Sequence, residues 1–126
     1  AGAARDGAAA EIALPALAAE RRVTRHLGRE AGAWVFERRV GFSRPALLRA
    51  LETGPLVDGV ERLKGVFRTG PEHWALVQLV DGRASVAESS WRRDSRVEVL
   101  LRPGATPDWP AWDALWGTVT GVATPG

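Results

Sequence analysis

The chain has 126 residues, no cysteine and no methionine, and a formal net charge of +2 at pH 7. This length predicts one domain with one hydrophobic core, and the lack of cysteine excludes disulfides, thiolate metal sites and thiol nucleophiles. The pI is about 10.3 because every basic residue except Lys64 is an arginine, so the pI alone does not indicate nucleic-acid binding.

Residues 1–31 are predicted to be a leader or linker. The start is rich in alanine and glycine, a composition that predicts disorder. The stretch from Glu11 to Leu27 predicts a basic helix, with Pro15 at its N-terminus or at a kink. Because the chain does not begin with methionine, we expect it to be part of a larger protein. It has no signal-peptide pattern and no run of the ~20 apolar residues that span a bilayer, which predicts a cytoplasmic protein.

A domain is predicted over residues 32–119, and local signals define its first strand and helix. Apolar side chains alternate over Ala33–Phe42, which predicts a strand. Ser43 is expected to cap a helix that has Pro45 in its first turn and ends at Gly54-Pro55.

Four strands and a closing helix are predicted to follow. The strands are Val60–Thr69, His73–Val80, Arg83–Glu88 and Arg96–Leu101. The pair Asp81-Gly82 predicts a hairpin turn between the second and third of these strands. The helix is predicted from Pro110 to about Val119, with its cap at Asp108 or Trp109, and residues 120–126 are predicted to be a flexible tail.

The order β-α-β-β-β-β-α predicts the α+β class. Tight turns between successive strands predict a mainly antiparallel sheet of about five strands, arranged as a meander. Two amphipathic helices on one face of this sheet give a two-layer sandwich.

The six tryptophans divide into two groups. Those expected in the core by their spacing are Trp34, Trp112 and Trp116. Core and interface positions both remain open for Trp74, Trp91 and Trp109, since tryptophan is common in cores and at binding hot spots.

Motifs for catalysis and metal binding are absent from the sequence. No G-x-x-x-x-G-K-S/T phosphate-binding loop and no G-x-S-x-G nucleophile turn occurs. His26 and His73 are far apart, whereas a metal site needs three or four converging ligands. The sequence therefore predicts no catalytic residue, no metal ligand and no cofactor in this chain.

A cationic face is predicted on the strand that begins at Val60. Arg62, Lys64 and Arg68 share one parity, opposite Leu63 and Phe67. Such a face suits docking against an acidic protein surface or a nucleic-acid backbone. A solvated face, neutralised by the acidic residues Glu61 and Glu98, is an equally open interpretation.

Two further residues join these candidates. Arg96, which follows Ser95 at the start of a strand, suits an anion, although a surface ion pair is the alternative. Trp74 is a possible stacking residue if the face binds single-stranded nucleic acid.

Several short motifs, in order, resemble the C-terminal domain of CobW-type GTPases. These motifs are Gly41–Leu48, Arg62-Leu63-Lys64-Gly65, the strand Val77–Val80 with its central Gln78, Ser95–Val99 and the helix at Trp112–Trp116. The resemblance extends over about residues 32–117. The candidate partner-binding residues are therefore Arg62, Lys64, Arg68, Gln78 and Arg96.

The resemblance implies a non-catalytic accessory domain. CobW-type proteins are GTPases linked to zinc homeostasis and to cobalt delivery in cobalamin synthesis, and their phosphate-binding loop and Cys-x-Cys-Cys motif lie in an N-terminal domain. GTP and zinc or cobalt would then belong to the parent protein, and the expected partners are its GTPase domain or a client metalloprotein. The alternative is a small basic nucleic-acid-binding domain, and no membrane partner is expected.

Overall fold

A computed structural model describes residues 9–120 of the chain. The predicted disorder of the first residues and the predicted flexible tail fall mainly outside this range. Seven strands are present: β1 (Ala9–Leu14), β2 (Ala19–His26), β3 (Arg29–Phe36), β4 (Val60–Gly70), β5 (His73–Val80), β6 (Arg83–Ser89) and β7 (Ser95–Leu101). The helices are α1 (Arg44–Glu52), α2 (Pro55–Asp58) and α3 (Trp109–Val119), and a 3₁₀ helix, Pro15–Leu17, joins β1 to β2.

The predicted helix between Glu11 and Leu27 is wrong, because this segment forms β1 and β2. Pro15 begins the 3₁₀ helix, and Ala18 takes a left-handed conformation (φ 51°) that turns the chain back. In β2, Arg21 is buried while its neighbours Glu20 and Arg22 are exposed, which is the two-residue period of a strand. Pairing with β3 along all eight residues of β2 therefore outweighs the helix propensity of its alanine and arginine residues.

The sheet is antiparallel, with the order β1-β2-β3-β7-β4-β5-β6. The prediction of an α+β fold dominated by an antiparallel sheet is confirmed, but the sheet has seven strands rather than five. The meander is confirmed only for β4, β5 and β6, because β7 lies between β3 and β4. Val97 and Val99 are 2% and 0% exposed, so this central position buries the apolar side of β7.

The hydrophobic core lies between the sheet and the helices α1 and α3. Leu47 and Leu51 of α1 pack into the same buried cluster as the α3 tryptophans. The Trp34 ring lies at the centre of an aromatic group, with its centroid 5.9, 6.2 and 5.5 Å from those of Trp109, Trp112 and Trp116. The predicted core positions of Trp34, Trp112 and Trp116 are thus confirmed, and Trp109 joins them.

Local chemistry sets the starts of α1 and α3 and one hairpin as predicted, whereas α1 ends at Glu52 and Pro55 begins the unpredicted helix α2. The hydroxyl of Ser43 accepts a hydrogen bond from the Ala46 N–H at the start of α1, and the Asp108 carboxylate accepts from Ala111 at the start of α3. Asp81 and Gly82 both have positive φ (50° and 75°), which fits the two-residue turn between β5 and β6. No helix within residues 9–120 is long and apolar enough to cross a membrane.

Candidate partner-binding surface

The sheet has one face turned away from α1 and α3, which we call the open face. Strand register places its side chains in rows that run across the sheet. Lys64 on β4 lies directly between Glu98 on β7 and Gln78 on β5. In the next row, Arg62 lies between Leu100 and Val80. The open face thus brings the predicted residues Arg62, Lys64 and Gln78 together.

Aliphatic side chains surround these polar groups. Val66 of β4 lies between Arg96 of β7 and Leu76 of β5. Val66 and Leu76 are half-buried, and Val80 is 45% exposed. A sheet face that only meets water would carry mainly polar side chains, so this mixture of cations and aliphatic groups is typical of a surface that contacts a protein.

Arg62 and Lys64 are both exposed and lie two residues apart on β4. Glu61 forms its ion pair with Arg29 of β3 rather than with either cation. Among the ion pairs formed within residues 9–120, none involves Arg62 or Lys64, although Glu98 is in register beside Lys64. Both cations therefore remain available to an external carboxylate.

Arg68 differs from the other two cations because it is only 6% exposed. Its guanidinium donates to three backbone carbonyl oxygens, those of Arg38 (3.0 Å), Gly70 (3.2 Å) and Pro71 (3.2 Å). The prediction that Arg62, Lys64 and Arg68 all point outward into solvent is therefore wrong for Arg68. A register shift between Arg68 and Gly70 interrupts the regular strand pairing at this end of β4.

Arg96 is exposed on the open face and is held by a neighbouring carboxylate. Its Nε and Nη2 atoms donate to the two Asp94 oxygens, at 2.8 and 3.1 Å. These hydrogen bonds, and the charge of Asp94, raise the pKa of Arg96 above its ordinary value. The predicted surface ion pair is present, and it fixes the direction of the Arg96 side chain.

A pocket of about 420 Å³ opens on the same face beside Arg96. It reaches from β1 to β7, and its lining includes Ala33, Val35 and the exposed ion pair between Arg22 and Glu11. Both charge signs are present at its rim, so the open face is mixed in charge rather than uniformly cationic.

Two tryptophans whose position the sequence left open, Trp74 and Trp91, differ in their exposure to solvent. Trp74 is 1% exposed, whereas Trp91 is 58% exposed in the loop between β6 and β7. The guanidinium carbon of Arg38 lies 5.1 Å from the centroid of the Trp91 ring. An interface position for Trp91 remained open from the sequence, but its contact with Arg38 was not predicted, and Trp91 is followed directly by Arg92 and Arg93.

No group of three or more His, Cys, Asp or Glu side chains within the described part of the chain could hold a metal ion. His26 and His73 are exposed at a strand end and a strand start.

Comparison with protein families shows which family the chain resembles. The model of the C-terminal domain of cobalamin synthesis protein cobW matches residues 31–117, which is more than half of the chain. The chain therefore belongs to the CobW C-terminal domain family, and the resemblance inferred from its motifs is confirmed. Searches of curated proteins and of solved structures found no match.

The matched segment and the sheet do not coincide. The match begins within β3, at residue 31, whereas the sheet also includes β1 and β2. The candidate residues Arg62, Lys64, Gln78 and Arg96 all lie within the matched segment.

Proposed function

We propose that this chain is the non-catalytic accessory domain of a CobW-type GTPase that delivers zinc or cobalt, and that its open face binds the GTPase domain of the same protein. The observation that carries the proposal is the open face itself. Arg62 and Lys64 are exposed beside the aliphatic groups Val66, Leu76 and Val80. Family membership supports this interpretation, since the matched family is defined by a C-terminal domain, which implies a domain before it.

The chemistry of the open face fits an acidic partner surface with an apolar centre. Extended backbone places Arg62 and Lys64 about 7 Å apart, a spacing suited to two carboxylates on a facing surface. When a partner covers the half-buried aliphatic groups, they lose contact with water. This burial contributes about 25 cal/mol of favourable free energy for each Å² of apolar area. Cations at the edge of such a contact mainly set orientation and association rate.

Nucleic-acid binding, the alternative drawn from the sequence, receives less support. Trp74, the proposed stacking residue, is 1% exposed and so has no free ring face for a base. Acidic side chains at Glu11, Glu20 and Glu98 also lie on the open face, where they would repel a phosphate backbone.

Binding to a separately produced CobW-type GTPase domain tests the proposal. The variant Arg62→Glu with Lys64→Glu is expected to weaken the affinity by about tenfold or more, because it places like charges against an acidic surface. Isothermal titration calorimetry in the presence of GTP measures the affinity, and far-UV circular dichroism checks that both chains are folded.

A matched control carries the same change in charge on other surfaces. Arg49→Glu with Arg102→Glu alters two exposed residues, one on α1 and one after β7. Equal weakening by both double variants, or no weakening by either, would show that the open face is not the docking surface. Unfolding of the Arg62 and Lys64 variant would assign these two side chains a structural role instead.

A further inference from the structure

The loop between β6 and β7 exposes an aromatic side chain that the core does not use. Trp91 is 58% exposed, whereas each of the other five tryptophans is at most 8% exposed. An indole on the surface leaves a large apolar area in water, and tryptophan is among the residues most enriched at binding hot spots. Trp91 is therefore a candidate for an interaction beyond that of Arg62 and Lys64.

The position of Trp91 is supported by the buried residue Arg68. The Arg38 guanidinium packs over the indole ring, with 5.1 Å between its carbon and the ring centroid. The backbone carbonyl of Arg38 in turn accepts a 3.0 Å hydrogen bond from Arg68, which is 6% exposed. The backbone of Arg38 is thus hydrogen-bonded to the buried Arg68, and the exposed Arg38 side chain lies over the ring.

A pocket of about 310 Å³ is lined in part by the two arginines that directly follow Trp91 in the chain. Its lining residues are Val66, Arg92, Arg93, Asp94 and Arg96. The one carboxylate, Asp94, is already engaged by both Nε and Nη2 of Arg96. Arg92 and Arg93 are exposed and form no ion pair within residues 9–120. The pocket thus has an excess of positive charge next to an apolar floor at Val66.

We infer that Arg38, Trp91, Arg92 and Arg93 form a binding site, which we call the Trp91 site, for an acidic peptide segment of a partner protein. The Arg92 and Arg93 guanidiniums bind carboxylates of the segment, since their fork of donors matches a carboxylate. An apolar side chain of the segment contacts Val66 and the edge of Trp91. The site shares Val66 and Arg96 with the open face, but its unpaired cations, Arg92 and Arg93, are not the docking residues Arg62 and Lys64.

The features of the Trp91 site favour a peptide over single-stranded nucleic acid. Proteins that bind single strands stack successive bases on several aromatic rings along a basic groove. Here only one indole is exposed within the described residues, and Arg38 already lies over its ring. The small pocket with an aliphatic floor instead suits one apolar side chain flanked by carboxylates.

Fluorescence anisotropy with a short fluorescein-labelled peptide, made of glutamates around one leucine, tests the Trp91 site. The variant Arg92→Glu with Arg93→Glu is expected to weaken binding by about tenfold or more at low salt. The control Arg49→Glu with Arg102→Glu has the same net charge and is expected to bind as the unchanged chain does. Equal weakening by the two variants would overturn the proposal, because it would show attraction by overall charge alone.

A second variant keeps the test valid if reversal of two charges disturbs the loop. Trp91→Ala removes the exposed ring without a change in charge and is also expected to weaken binding several-fold. Unchanged affinity of this variant would overturn the proposal. Tighter binding of a labelled oligothymidylate than of the acidic peptide would overturn it as well, in favour of nucleic acid.

Discussion

Arg68 lies on the same strand as Arg62 and Lys64, yet its side chain serves the loops at one end of the sheet. Three backbone carbonyls from two loops converge on its guanidinium, and its own N–H donates to the Ser95 hydroxyl at 3.0 Å. A buried carbonyl that loses its donor costs free energy, because water no longer reaches it. The side chain of Arg68 therefore joins the end of β4 to the loop after β3.

Arg68→Gln is therefore expected to lower the free energy of unfolding by about 3 kcal/mol, since a shorter amide cannot reach all three carbonyls. Urea denaturation followed by circular dichroism measures the change. Arg62→Gln is the matched control, because Arg62 is exposed on the same strand and is expected to change stability by less than about 0.5 kcal/mol. Equal effects of the two substitutions would contradict the structural role of Arg68.

Helix α3 is fixed on the sheet by polar contacts as well as by its tryptophans. The Asp113 carboxylate accepts a 2.8 Å hydrogen bond from the indole N–H of Trp34 and forms an ion pair with Arg21 of β2. The side chains of Arg21 and Asp113 are only 8% and 17% exposed. A carboxylate on α3 thus joins two neighbouring strands, and removal of either charge would leave the other one buried.

Asp113→Ala is expected to destabilise the fold by about 3 kcal/mol, because it leaves Arg21 buried without a counter-charge. The double variant Arg21→Met with Asp113→Leu is expected to recover part of this loss, since well-packed apolar groups replace buried ion pairs with little cost, whereas the indole N–H of Trp34 still lacks its acceptor. Thermal and urea unfolding of the single and double variants test both statements. A double variant less stable than Asp113→Ala would show that the ion pair itself is stabilising.

The starts of α1 and α3 and the strands β4, β5 and β6 were predictable because their signals are local. Ser43, Asp108 and the pair Asp81-Gly82 act through the chain within a few residues of themselves. The parity of β4 likewise predicted that Arg62 and Lys64 share a face. These predictions depend only on short stretches of sequence, so tertiary contacts did not alter them.

The remaining features depend on contacts between distant residues. The segment from Glu11 to Leu27 has alanine and arginine residues that favour a helix, but pairing with β3 makes it two strands. Burial of Arg68 requires the Arg38 carbonyl, which lies in the loop after β3, about 30 residues earlier in the chain. No local pattern indicates that Arg38 would lie over Trp91, and this contact is the main part of the Trp91 site that the sequence did not reveal.

At the scale of the whole molecule, β1 and β2 complete the sheet beyond the segment that matches the CobW C-terminal domain. Without them, β3 would become an edge strand and Asp113 would lose its partner Arg21. An open edge strand exposes unpaired backbone groups that bind other chains.

A chain shortened to begin at Arg29 is therefore expected to be less stable and to associate. Size-exclusion chromatography measures its association, and circular dichroism on heating measures its stability. A chain that begins at Ala18 is the control, since it retains β2 and Arg21. A smaller loss of stability is expected for this control. Identical behaviour of the shortened and full-length chains would show that β1 and β2 are dispensable.

The central position of β7 has a consequence for the order in which the sheet is completed. Strands β1 to β3 form one three-stranded unit and strands β4 to β6 form another, and β7 alone pairs with both. During synthesis from the N-terminus, a nascent chain that ends before residue 95 contains both units but lacks the strand that joins them. Of these seven strands, the last to leave the ribosome is thus the one that joins two small sheets into one.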